Sequence, residues 1–285
     1  MHPTTARYAH QIRAMAPDAD LESAMVNDEG LVNDVILIGD RVFRFAKTEA
    51  GARDLRKELE ILDRVRPRLS LAVPTPFYRS ADSMAYPRVP GATLRNAWLR
   101  SLPGAAQQRL ADQVAQALQA LHNTPVEGLP PTGAPVTAEA QTAIRREVET
   151  YVYPLLMRHQ REWAEDLFDA FLSDPDNFAF ESALIHGDIG PYHLLVDEAT
   201  TTLTGILDFG VAGVGDPASD IALMLQNYGE SFVGAMRASY TGLERFLKRA
   251  RYYAQAIELQ WAMRGLKSGE SFWFTAHLGS ARDIG

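Results

Sequence analysis

The stretch ALIHGDIGPYHLLVDEATTTLTGILDFG, Ala183 to Gly210, constrains the fold of this chain most strongly. It is a strand-like apolar run set between segments that read as helix. Residues 184–210 read as a hairpin whose returning strand is Leu203 to Leu207, with an aspartate just inside each end, Asp188 and Asp208. A hairpin brings its ends together, so both carboxylates come to face one spot. His193 falls near the start of the outgoing strand, at that same end. Phosphoryl transfer requires a carboxylate to orient a hydroxyl, oxygen ligands for magnesium and a basic group on the phosphates. The hairpin offers the first two.

The rest of the chain divides around this segment. Thr5 to Met15 reads as a short amphipathic helix ended by Pro17. Three strand-like pieces follow, Glu22–Asn27, Asp34–Ile38 and Arg41–Ala46, separated by Asn27-Asp28-Glu29-Gly30 and Gly39-Asp40 turns. Glu49 to Val65 predicts a helix with Leu55, Leu59, Leu62 and Val65 on one stripe, and Met84 to Val89 a further strand. Beyond Pro90-Gly91 the chain turns helical. Leu110, Val114, Leu118 and Leu121 share one helix face, Pro125 to Pro135 is a linker, and Ala138 to Leu172 predicts a long helical stretch interrupted at Pro154. The expected fold class is α+β, with a small antiparallel β-rich lobe (residues 1–87), a connector near residues 86–89, and a large mainly helical lobe (88–285) carrying the hairpin.

Composition removes several chemistries. The chain has 285 residues, no cysteine and a net charge of −8. Disulfides, thiolate nucleophiles and thiolate metal sites are therefore excluded, and the acidic balance argues against a nucleic-acid partner. No run approaches the roughly 18 apolar residues of a membrane helix, and the first residues lack the apolar core of a secretory signal. The expectation is a cytoplasmic protein without membrane contact.

Three motifs in order and at matching spacing carry a family resemblance. HGDIGPYHLL resembles the catalytic loop of the aminoglycoside phosphotransferase family, LTGILDFG its metal-binding aspartate, and GDPASD (Gly215 to Asp220) the stretch that follows. That family shares the two-lobed protein-kinase-like fold and phosphorylates small molecules. The resemblance implies that Asp188 is the catalytic base and that Asp208 ligates Mg2+. It also implies that His186 braces the loop and Asp220 bonds catalytic-loop backbone. His193 stands where most of the superfamily has asparagine. Branches acting on the 2″ hydroxyl of aminoglycosides and on macrolides also carry histidine, which makes His193 the second metal ligand.

The same resemblance places ATP, or GTP, beneath the small lobe. Gly30 and Asn33 resemble the family's Gly-x-x-Asn phosphate pattern. In VFRFAK the phosphate-binding position falls on Arg44 rather than Lys47, and strand alternation puts these two on opposite faces. Glu58 is the expected partner of Arg44, with Glu60 on another helical face. Pro87 would offer its carbonyl and Val89 its N–H to the base, since proline has no N–H of its own. Tyr86 would close the back of the pocket, leaving adenine or guanine open, and Val35, Val42, Leu195 and Leu207 would enclose the base.

The resemblance implies a hydroxyl-bearing small molecule as acceptor, either an antibiotic (aminoglycoside or macrolide) or a metabolite alcohol. Glu230, Glu258 and Trp261 are the candidate acceptor contacts. Gln226 and Asn227 stand where acidic residues would help to hold a polycation. The competing expectation is a nucleotide-binding module with weak or no catalysis. Arg44, His193 and the sparse glycine loop favour that alternative, whereas the intact Asp188 and Asp208 oppose it.

Overall fold

The computed structural model describes residues 1–27 and 32–269, so Gly30 lies outside the described residues. Pro3–Met15 forms α1, opened by a proline whose missing N–H is harmless in a first turn. The sequence predicts a strand over Glu22–Asn27. Instead Asp20 accepts from the Glu22 N–H at 3.1 Å and holds Leu21–Ser23 in a 3₁₀ turn, leaving Met25–Asn27 as β1. Next come β2 (Asn33–Ile38), β3 (Arg41–Ala46), α2 (Glu49–Val65, capped by the Thr48 hydroxyl), β4 (Tyr78–Arg79) and β5 (Ser83–Pro87). The strands form one antiparallel sheet in the order β1-β2-β3-β5-β4.

Register decides what each face of this sheet carries. Val35 pairs with Arg44 and Leu37 with Val42, while on β5 Tyr86 meets Val42 and Met84 meets Arg44. These residues therefore share one face, against Leu55 and Leu59 of α2. The opposite face, with Ile36, Ile38, Phe43 and Phe45, is buried against Ile12 and Ala16 of α1. Tyr8 stacks on Phe45 with ring centres 4.0 Å apart.

The large lobe begins with β6 (Ala92–Thr93), α3 (Asn96–Ser101) and α4 (Gly104–His122). It continues through α5 (Ala138–Tyr151) and α6 (Arg158–Leu172), separated by a 3₁₀ turn that contains Pro154. Then follow β7 (Ala183–Ile185), β8 (Leu194–Asp197), β9 (Thr202–Ile206), β10 (Gly213–Gly215), α7 (Ala218–Ala235) and α8 (Glu244–Ser268). The hairpin expected over residues 184–210 needs correction. Only β8 and β9 form it, with β6 on the outer side of β8, while β7 pairs with β10 in a separate two-stranded ribbon. The reason is length: the loop from His186 to His193 is folded as turns and cannot contribute ladder bonds.

The lobes share packing. Leu55 and Leu59 of α2 serve the small sheet, whereas Ile61, Leu62 and Val65 join the large-lobe core with Leu110, Leu118, Leu194, Ile206 and Phe209. The chain after α2 is also laced to β9, because Ala72 donates to Thr204 O at 3.0 Å and accepts from the Ile206 N–H at 2.9 Å.

Candidate active site

The loop between β7 and β8 is held from below by a buried carboxylate at the start of α7. Asp220 accepts from the His186 N–H and the Gly187 N–H, both at 2.8 Å. Its second lone-pair direction on Oδ2 meets His122 Nε2 at 3.0 Å, and His122 Nδ1 lies 2.6 Å from the Tyr240 hydroxyl. Burial opposes the charge of Asp220, but His122, His186 and the backbone donor outweigh it and hold the carboxyl below its usual range. With Asp220 ionised, its oxygen can only accept, so His122 donates to it from Nε2, while Nδ1 meets the Tyr240 hydroxyl, which burial keeps protonated. The motifs gave no sign of His122 or Tyr240. The one available signal was a histidine ending the apolar stripe of α4.

His186 braces the same loop from inside. Its Nε2 donates to Leu207 O at 2.9 Å and its Nδ1 accepts from the Asp188 N–H at 3.3 Å. Burial, and then the nearby His193, lower its pKa, which fits a neutral ring with one donor and one acceptor. Below the loop, Asp216 caps α7 through the Ala218 N–H and accepts from Arg249 Nε and Nη2 at 2.7 and 2.9 Å.

Asp188, His193 and Asp208 converge at the cleft. The Asp188 carboxylate is 58% exposed. His193 Nδ1 donates to Asp188 O at 2.6 Å and lies 3.8 Å from Asp188 Oδ2. Its Nε2, left with a lone pair in that tautomer, lies 3.9 Å from Asp208 Oδ2. Asp208 sits two residues beyond β9 with φ +60°, an uncommon backbone for a non-glycine residue, and accepts from the Gly210 N–H at 3.2 Å. Burial raises its pKa, but Arg44, His193 and that N–H prevail and the carboxyl is held below the usual range.

A magnesium ion fits this donor set in part. Among the described residues no group of three metal-ligating side chains is preassembled. One carboxylate and one imidazole nitrogen facing each other suit an ion that keeps phosphate oxygens and water as its other ligands. The imidazole is a softer donor than magnesium prefers.

From the small lobe, Arg44 enters the same cleft. Its Nη1 donates to Glu58 Oε1 at 2.8 Å and its Nη2 lies 3.8 Å from Asp208 Oδ1. Burial opposes the guanidinium charge, but Glu58, Tyr86 and Asp208 raise its pKa. Burial pushes Glu58 up despite the pull of Arg44. Tyr86, hydrogen-bonded to Arg44, is pushed up to about 12, chiefly by its own burial. Lys47 points the other way, 3.4 Å from Asp34 on the α1 side of the sheet, and Glu60 is exposed. Asn33 shares the cleft-side register of Val35, and its Oδ1 is buried without a partner among the described residues. Val42 and Leu195 are buried, Val35 and Leu207 half-buried, and at the crossover Pro87 is exposed while Val89 is buried.

The candidate acceptor residues are less convergent. Glu230 follows a break in α7 at Gly229 (φ +84°) and is gripped by Arg251 through two bonds of 2.7 and 3.0 Å. Glu258 accepts from the Gln226 amide, and Trp261 lies under Arg264, 4.9 Å from ring centre to guanidinium carbon. Arg251 thus offsets the charge of Glu230 in this arrangement.

A two-lobed fold with a hydrogen-bonded loop between β7 and β8, a carboxylate in left-handed backbone after the hairpin and an Arg–Glu pair above them defines a protein-kinase-like phosphotransferase. Residues 24–255 match the phosphotransferase enzyme family, and the chain belongs to it. It is 30% identical over 235 residues to viomycin phosphotransferase of Streptomyces vinaceus, covering 77% of this chain and 78% of the relative. The GDP and kanamycin complex of APH(2″)-IIIa superposes with a TM-score of 0.85 at 27% identity, covering 97% of each chain. Macrolide 2′-phosphotransferase type I shares the fold, with a TM-score of 0.73 at 22% identity and 99% of each chain covered. The protein is an enzyme that phosphorylates an alcohol group, and no helix among its described residues is long and apolar enough to cross a membrane.

Proposed function

We propose that this enzyme transfers the γ-phosphate of ATP or GTP to a hydroxyl of a small molecule, an antibiotic or a metabolite alcohol, with Asp188 as base. The nucleotide lies between a small lobe of residues 1–87 and a large lobe of residues 88–285, hinged near 86–89. Its base lies among Val35, Val42, Leu195 and Leu207, with Tyr86 behind it and the Pro87 carbonyl and Val89 N–H at its edge. Asn33 and Arg44 hold the phosphates, and Glu58 fixes Arg44. Asp208 and His193 hold Mg2+, which neutralises charge on the phosphates when bound. Glu230, Glu258 and Trp261 border the acceptor. As the acceptor oxygen bonds to the γ-phosphorus, its proton passes to Asp188 and the bond to the bridging oxygen breaks, releasing nucleoside diphosphate.

One observation carries this reading: His193 stands between the two carboxylates, 3.8 Å from Asp188 and 3.9 Å from Asp208. A site that only bound nucleotide would have no use for an exposed Asp188 held in place by five backbone and ring contacts around its loop. The test compares two variants. Asp188→Asn should keep magnesium–nucleotide affinity and lower turnover ~100-fold, the scale of a positioned base, whereas Asp208→Ala should lose magnesium-dependent binding. Nucleotide binding without transfer or hydrolysis in the parent would favour the binding-module alternative.

A further inference from the structure

At the end of α4, between the segment that enters β7 and the start of α8, lies a pocket of about 370 Å3. Small-molecule sites usually span about 300–1,000 Å3, so this one has room for a compact ligand. None of Asp188, His193 and Asp208 lines it. Its walls nevertheless include the supports of the loop between β7 and β8. His122 and Tyr240 both face the pocket, and His122 connects through Asp220 to the His186 and Gly187 N–H groups. Residues 179–183, which lead directly into β7, form another wall.

Besides His122, the pocket is lined by three ionisable side chains with full charge, Arg249, Arg245 and Glu181. Arg249 is buried and spends Nε and Nη2 on the Asp216 carboxylate, so those two charges offset each other. Arg245 and Glu181 are exposed and form no ion pair among the described residues. Arg245 rests on the wall of the pocket, its guanidinium carbon 4.9 Å from the centre of the Phe246 ring. One free charge of each sign therefore borders the same space. A simple anion drawn to Arg245 would meet Glu181, and a simple cation drawn to Glu181 would meet Arg245. A molecule carrying both charges meets an opposite partner at each end.

We propose that this pocket is a second ligand site, for a small zwitterion of amino-acid or dipeptide size, with its carboxylate at Arg245 and its ammonium at Glu181. A ligand there braces Tyr240, His122 and the lead into β7. It therefore favours the state in which Asp220 holds the loop that carries Asp188, and opposes local opening of that loop. The site is separate from the nucleotide and the acceptor, so its test does not depend on the phosphotransfer reading.

The test titrates the full chain by calorimetry with the standard amino acids and glycylglycine, and with acetate and ethylamine as probes of single charge. At least one zwitterion should bind with a Kd of about 1 mM or tighter, and at least tenfold more tightly than either single-charge probe. No zwitterion binding, or a smaller margin, overturns the proposal. Arg245→Gln and Glu181→Gln locate the site, each with its melting curve recorded. Both should melt as the parent does and lose tenfold or more of the affinity for the tightest zwitterion. A smaller loss in either folded variant places the ligand elsewhere and overturns the assignment. Hydrogen exchange over residues 183–190 should slow by about threefold or more when that zwitterion saturates the parent. Unchanged exchange in the saturated parent overturns the link to the loop, and this measurement stands whether or not the variants fold.

Discussion

At the scale of single residues, the site is governed by which lone pairs and donors are already spent. His193 uses Nδ1 on Asp188 O and turns Nε2 toward Asp208. If that nitrogen is a metal ligand, His193→Asn should retain magnesium-dependent nucleotide affinity within about threefold, because an amide oxygen suits magnesium. His193→Ala should lose tenfold or more. Equal affinity in the two variants, measured by calorimetry, would leave His193 as a loop-shaping residue only. The Tyr240–His122–Asp220 chain makes a second case. Tyr240→Phe removes one hydrogen bond, worth ~1 kcal/mol, from the buried network that supports residues 186 and 187. Turnover should fall by several-fold with the nucleotide KM unchanged, and hydrogen exchange over residues 183–190 should quicken. Unaltered exchange would show that Asp220 holds the loop without help from Tyr240.

At the scale of elements, close backbone approach at β9 fixes how the lobes meet. A Cβ added to Gly205 would lie 2.6 Å from Val89 Cγ1 and 2.8 Å from Ala72 O. The first contact is a buried side chain of the crossover between lobes and the second is backbone of the segment after α2, so the second cannot give way without moving that backbone. Gly205→Ala should therefore destabilise the fold by ~1–3 kcal/mol, read from urea unfolding, and weaken nucleotide binding as well. A stable variant with normal nucleotide affinity would mean that the lobes tolerate a wider separation. The double duty of α2 follows from its long stripe, with Leu59 turned to the small sheet and Leu62 to the large core. One helix thus carries Glu58 and couples the position of Arg44 to the larger lobe.

For the whole molecule, pH acts through buried groups of opposing sense. Burial holds the folded-state pKa of His186 below 6.5. Between that lowered value and 6.5 the unfolded chain binds more protons, so stability falls as pH drops through this window. Asp208 and Asp220 are held below 3.8, and their contribution is present above 3.8 and lost as pH falls toward their folded values. Glu58, raised above 4.5 by burial, acts the other way: the folded state binds the extra proton, and its contribution declines as pH rises through the folded value. The urea midpoint should consequently be lower at pH 5 than at pH 7. His186→Gln, which keeps a donor toward Leu207, should shrink that difference. An unchanged difference would place the acid sensitivity in other groups.

What could be read from the linear chain was whatever depends on near neighbours. Periodicity located α2 from Glu49 to Val65, alternation separated Arg44 from Lys47, and Pro154 marked the break between α5 and α6. The spacing of HGD, His193 and DFG indicated a shared site because a short hairpin joins them. Tertiary structure alone decided the rest. The strand β7 pairs with β10 rather than within the expected hairpin, since pairing partners are chosen by packing and carry no local signature. His122 and Tyr240 lie 118 residues apart and become partners only when α4 and the turn after α7 pack together. Glu230 is acidic in sequence but its charge is offset in space, because the break at Gly229 delivers it to Arg251. Charge in a sequence is a property of single residues, whereas the field in a cleft depends on which charges have already found each other.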